Sequence, residues 1–153
     1  MGLPSDHHDS IASVANWALH LLIDEFGAGV HVVNETQFEL PAGSTKVTVE
    51  VAGVGGFAIV LVASPLALDV PPAPELFEYV ARQGDHPGLA SMLVVPGSGP
   101  DTVHVLVVHR IYGNCLDRSE LLTSVANVAG QADDADEEFV ARFGGSRFSD
   151  AMG

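Results

Sequence analysis

Residues 46–63, KVTVEVAGVGGFAIVLVA, decide how this chain folds. In the first half Val47, Val49 and Val51 alternate with Lys46, Thr48 and Glu50, the period-two signature of a strand buried on one face. Gly53 to Gly56 interrupt the pattern, and Phe57 to Ala63 beyond them is apolar on both faces. A strand of that kind needs cover on both sides. The stretch therefore predicts a hairpin whose second arm lies central in a sheet, with helices or a partner above and below.

Upstream, residues 1–9 read as a polar tail and Ser10 as an N-cap. Ile11 to Phe26 is a helix by spacing: Ile11, Val14, Ala15, Ala18, Leu21, Leu22 and Phe26 form one stripe, and Gly27 ends it. Trp17, Leu19 and Ile23 flank that stripe and make the apolar sector wider than packing on one sheet requires. They are the candidate contact with a second protein chain, although scattered exposed apolar residues are common in any soluble domain. Val30 to Leu40 alternates as one long strand in which Asn34 and Thr36 mark a bend or bulge. PAGS, 41–44, is turn chemistry, so three consecutive strands form a meander.

Downstream, SPLALDVPPAP, 64–74, carries too many prolines for a central strand. Pro74 suits the first turn of a short helix, Glu75 to Gln83, with Leu76, Phe77 and Val80 along its edge and Gly84 as its stop. Ala90 to Val95 and Thr102 to Arg110 are two further strands, the second expected beside Phe57 to Ala63. Asp117 caps a helix with Glu120 three residues on, and a second helical pattern continues through 133–138 to Gly144 and Gly145. The order is α-β-β-β-α-β-β-α: a single α+β domain over 10–148 with a five-stranded antiparallel sheet.

Composition narrows the function. The chain has 153 residues with a formal charge of -14, which opposes binding to nucleic acid or an anionic membrane. One cysteine, Cys115, excludes an internal disulfide framework. The start MGLPSDHHDS lacks the basic stretch and apolar run of a signal peptide, and no apolar run approaches the roughly 20 residues of a membrane span, so the expected location is the cytoplasm. A single lysine beside five arginines, with abundant Ala, Val and Gly, fits a GC-rich bacterial genome.

No motif makes a site by itself. GVGGFA, 53–58, matches a dinucleotide pattern, but a strand follows where a phosphate-binding helix should begin. DHHD, 6–9, offers imidazoles and carboxylates without a framework to converge them on a metal. Cys115 and His109 lack a third group to complete a nucleophilic site. His104 and His109 point to opposite faces of their strand by parity. The acidic run 133–138 lacks the glycine and alternating ligands of a calcium loop and reads as a solvated helix face. The expectation is no catalytic residue, no metal and no cofactor.

The succession of elements resembles the class I type III secretion chaperone fold, shared with the YbjN family and related bacterial peptide-binding chaperone-like domains. The most family-like stretch, LVVHRIYGNCLDRSELLTSVANVAGQADDADEEFVARFGG, leads from a strand through the Asp117 cap into a long amphipathic helix. The resemblance implies a non-enzymatic homodimer that holds an extended or partly unfolded client segment on an apolar surface. It implies a dimer contact at Leu76, Phe77, Tyr79 and Val80, and client contact at Trp17, Leu19 and Ile23. Two other readings are a regulatory or immunity-type protein capping a specific folded partner, and a small hydrolase using Cys115 and His109.

Overall fold

Ser10 opens the first helix, its side-chain oxygen accepting a hydrogen bond from the Ser13 N–H at 3.1 Å. That satisfies one of the amides a helix start leaves unbonded. The helix, α1, spans Ile11–Phe26 and stops where Gly27 adopts φ 55°. A computed structural model describes residues 10–83 and 90–152; the DHHD run and the expected stop at Gly84 lie outside the described residues.

After α1 the chain makes a hairpin where a single long strand was expected. β1 spans His31–Asn34 and β2 Gln37–Ala42. Between them the Asn34 carboxamide oxygen accepts from the Thr36 N–H at 2.9 Å and from its hydroxyl at 3.1 Å. This local side-chain turn reverses the chain instead of bending it. The sheet therefore has six strands where five were expected.

β3, Thr45–Val54, and β4, Phe57–Val70, form the central hairpin. Gly55 and Gly56 sit at φ 57° and 85°, the pair of left-handed residues that a tight two-residue hairpin demands. The glycines lead into a strand, and the dinucleotide pattern is a turn.

β4 corrects a second expectation, because it runs on through Ser64, Pro65 and Leu66 in the middle of the sheet. Its ladder to β3 ends at Thr48 opposite Ala63, and side chains take over from there. The Ser64 hydroxyl donates to the Lys46 carbonyl at 2.7 Å, and the Thr45 hydroxyl to the Pro65 carbonyl at 3.0 Å. On the other side the pairing with β6 shifts register between Pro65 and Ala67 and again before Val70. A proline in a central strand is tolerated at such irregularities. The non-glycine Asp69, at φ 51°, is held there by His104 Nδ1, which accepts from its N–H at 3.0 Å.

α2, Pro74–Arg82, precedes β5, Ser91–Pro96, and β6, Val103–Tyr112. All six strands are antiparallel in the order β1-β2-β3-β4-β6-β5, with β6 beside β4 as expected. α3 is one helix, Arg118–Phe143, capped by Asp117, whose carboxylate accepts from the Glu120 N–H at 2.7 Å. Gly144 and Gly145, at φ 86° and 81°, turn the chain back to the sheet, where Leu68 and Ser146 exchange two backbone hydrogen bonds. A short α4, Phe148–Met152, follows.

The core lies on one face of the sheet. Val14, Ala18 and Leu22 of α1 and Leu121, Val125 and Val128 of α3 pack with Val49, Val60, Val62 and Val107. Opposite residues of an antiparallel pair share a face, so the register assigns Glu50, Leu61 and Arg110, and Ala52, Ile59 and Tyr112, to the other side. No long helix covers that side among the described residues; α4 reaches it at one end, where Phe148 lies near Lys46 and Leu106.

Candidate functional site

Among the described residues, two apolar surfaces bear on binding of another chain. The first is a groove of about 490 Å³ between α1 and the β1–β2 hairpin, lined by Ile11, Ala12, Ala15, Leu19, Thr36 and Phe38 among others. Ile11, Ala15, Leu19 and Ile23 follow one another at four-residue spacing along α1, so they form a continuous ridge beside the groove. Ile11 and Ile23 are 40% and 48% exposed. Across from them Val32, opposite Phe38 in the register, is also exposed, and β1 is an edge strand.

The structure separates the three expected client contacts. Leu19 lines the groove and Ile23 extends its ridge. Trp17 turns the other way: its indole N–H donates to the Leu116 carbonyl at 3.2 Å, and its ring stacks on His20. That residue fastens α1 to the segment before α3. Ile11, Ala15, Val32 and Phe38 were not singled out from the sequence for this surface. Their signal was available only in part, since Ile11 and Ala15 sat in the stripe assigned to the core.

At the C-terminal end of α1, Arg118 binds Asp24 and Glu25, the latter at 2.7 Å. The hydrogen bond to Asp24 is the main reason its pKa lies above the ordinary guanidinium value. Glu35 remains at the groove mouth with no ion-pair partner among the described residues.

The second surface is the open face of the sheet. Val54, Phe57 and Tyr112 are 61%, 60% and 61% exposed, and the rings of Phe57 and Tyr112 meet edge to face. Near α4 this face deepens into a groove of about 380 Å³ lined by Leu61, Ala63, Pro65, Leu68, Leu106 and Phe148 among others.

Of the expected dimer residues on α2, Leu76 is fully buried in the chain's own core. Tyr79 packs on Phe139 and Phe143 beneath the Arg142 guanidinium, and Val80 is half-buried. Phe77 is exposed.

The remaining motifs acquire structural roles. His109 lies 3.7 Å from Glu120, and Cys115 is exposed on the turn before α3. His104 and His109 do fall on opposite faces, paired with Val95 and Val62. No group of three potential metal ligands converges among the described residues. The acidic run is not all solvated: Asp133 and Asp136 both bind Ser44 in the β2–β3 turn, and Asp136 is 2% exposed.

Comparison with known families gives a match over residues 12–151 to the family model TY-Chap1, described as T3SS (YopN, CesT) and YbjN peptide-binding chaperone 1. A search of curated proteins gives no match. The match runs from α1 through α4, including both surfaces. The chain belongs to this family of peptide-binding chaperone domains.

Proposed function

We propose that this protein holds an extended segment of a protein client in the groove between α1 and the β1–β2 hairpin. The observation that carries the reading is an apolar groove beside the β1–β2 turn, in the same hairpin as β1, an edge strand whose four residues are all exposed. Backbone pairing with a sheet edge gives affinity that is indifferent to sequence, while alternate client side chains enter the groove and supply selectivity. Leu19 lies on one wall and Phe38 on the other, and the exposed Ile23 and Val32 are the apolar residues nearest to them in spacing and register. The formal charge of -14 favours clients in which basic residues separate the apolar ones, and keeps a chain with exposed apolar surface soluble. The activity is binding without cofactor or chemistry, carried out in the cytoplasm.

The test starts from the protein that co-purifies with the native chain, identified by mass spectrometry. A labelled peptide from its extended region is then titrated in an anisotropy assay. The peptide should bind, and Leu19→Asp with Ile23→Asp should weaken it at least about tenfold, since a carboxylate in an apolar contact lacks compensation. Circular dichroism should be unchanged, and Trp17→Phe should leave affinity intact. If only the intact folded partner binds, the protein is a capping regulator; if the double variant binds normally, the client lies elsewhere.

A further inference from the structure

Glu120, Thr123, Ser124 and Asn127 follow the i, i+3, i+4, i+7 spacing of one face of α3. With His109 of β6 they line a cavity of about 130 Å³, to which Ala90 and Val128 add apolar wall. Ser124 is only 5% exposed, yet its hydroxyl has no hydrogen-bond partner among the described residues. The other buried polar side chains have one: Thr45 and Ser64 lie 2.9 Å apart, and Asp136 binds Ser44. A buried hydroxyl without a partner is uncommon and destabilising in a folded chain, so the cavity that Ser124 lines is where its partner belongs. Thr123 and Asn127 also make no side-chain hydrogen bond among the described residues. His109 Nε2 stands 3.7 Å from the Glu120 carboxylate, too far for a direct hydrogen bond.

We propose that this cavity binds a primary alkylammonium group. Glu120 is the one carboxylate in the lining, which among the described residues holds no lysine or arginine. The formal charge of -14 acts in the same sense, attracting cations and repelling anions. The N-terminus of α3, whose dipole disfavours a cation, is already capped by the Asp117 carboxylate. An ammonium brings three N–H donors and no acceptor. The Glu120 carboxylate, the Ser124 hydroxyl and the Asn127 carboxamide oxygen can accept them, and the neutral His109 imidazole adds a further acceptor. Single acceptors on successive turns of a helix suit a compact ammonium, whereas a guanidinium requires a paired planar set.

Size narrows the ligand further. A cavity of about 150 Å³ accommodates benzene, so this one takes about five or six heavy atoms, the size of butylammonium. Its alkyl stem rests on Ala90 and Val128. The group belongs either to a free short amine or to a lysine side chain of a bound protein, and the cavity recognises what the two share. β5 and β6 lie at the edge of the sheet opposite β1, so this site is separate from the α1 groove and stands or falls independently of it.

The full chain, labelled with nitrogen-15, is titrated at neutral pH with butylamine, butanol and butyrate, each to about 50 mM. Butylammonium should shift the Ser124 and Asn127 amides saturably, with a dissociation constant on the order of 1 mM for so small a ligand. Butanol should bind at least about tenfold more weakly, and butyrate not at all. Glu120→Gln and Ser124→Ala should each weaken butylammonium about tenfold, with circular dichroism unchanged. Glu120 is exposed, so its variant reports even where Ser124→Ala fails to fold. Nα-acetyl-lysine methylamide is titrated alongside: affinity equal to that of butylammonium supports a lysine side chain as the source, and binding of butylammonium alone supports a free amine. Absence of saturable shifts with either amine overturns the proposal and leaves a cavity that holds water. So does butanol or butyrate binding as tightly as butylammonium, or Glu120→Gln leaving its affinity unchanged.

Discussion

Ser44 shows how one small residue ties distant parts of the chain together. Its N–H and hydroxyl both reach Asp133 Oδ1, at 2.7 and 2.6 Å, and the hydroxyl also lies against Asp136. These bonds clamp the β2–β3 turn onto α3. Ser44→Ala should cost about 1–3 kcal/mol in urea unfolding, because it removes the one hydroxyl that Asp133 and the buried Asp136 share. The hydroxyl and amide of Ser44 hold the Asp133 pKa below its ordinary 3.8, as the Ser98 amide chiefly does for Asp69 and Arg147 for Asp150. Each carboxylate releases its proton more readily in the folded than in the unfolded chain. Their stabilisation is complete above pH 3.8 and is lost as pH falls through the lower folded values. A series of thermal melts should therefore show stability falling below that pH, and Asp133→Asn should shallow the fall. Helical spacing puts residues 133 and 136 on one side of α3, but nothing local says that Ser44 waits there, so the run reads as solvated until the fold is known.

At the scale of elements, helices were legible where an apolar stripe met a cap, as with Ser10 for α1 and Asp117 for α3. Strands misled in two places, both where side chains replace backbone pairing. Asn34 and Thr36 make a turn out of two residues that fit the apolar face only as a bulge, and Thr45 and Ser64 let β4 continue past Pro65. The turn from α3 to α4 is held more rigidly than its two glycines suggest. A Cβ at Gly145 would stand 2.5 Å from the Leu68 carbonyl oxygen, at φ 81°. Gly145→Ala should therefore break the Leu68–Ser146 bridge and release α4. Hydrogen exchange should show faster exchange at the Leu68 and Ser146 amides with α1 and β6 unchanged. Equal protection in parent and variant would mean that the turn relaxes without strain.

For the whole molecule, charge and one-sided cover act together. Twenty acidic against six basic residues give a formal charge of -14, so the attraction expected for a basic client under the proposed function is long-ranged and screened by salt. Raising salt from about 50 to 500 mM should weaken binding of a basic peptide mainly by slowing association, while the apolar contacts that set dissociation persist. Stopped-flow titration separates the two rates. A dissociation rate that rises with salt while association stays constant would place the charges inside the groove.

The sequence by itself determined the α+β class, the central Gly55–Gly56 hairpin, the β4–β6 neighbourhood and the amphipathic helices. Each of these follows from periodicity, caps and turn residues that act within a few positions of one another. Only the tertiary structure decided that the sheet has six strands, that both long helices lie on one side, and that Trp17 turns away from Leu19. These depend on which surfaces meet across the fold, where packing and distant hydrogen bonds outweigh local preference. Apolar residues on both faces of β4 demand cover, and composition alone does not distinguish a helix of the same chain from another molecule.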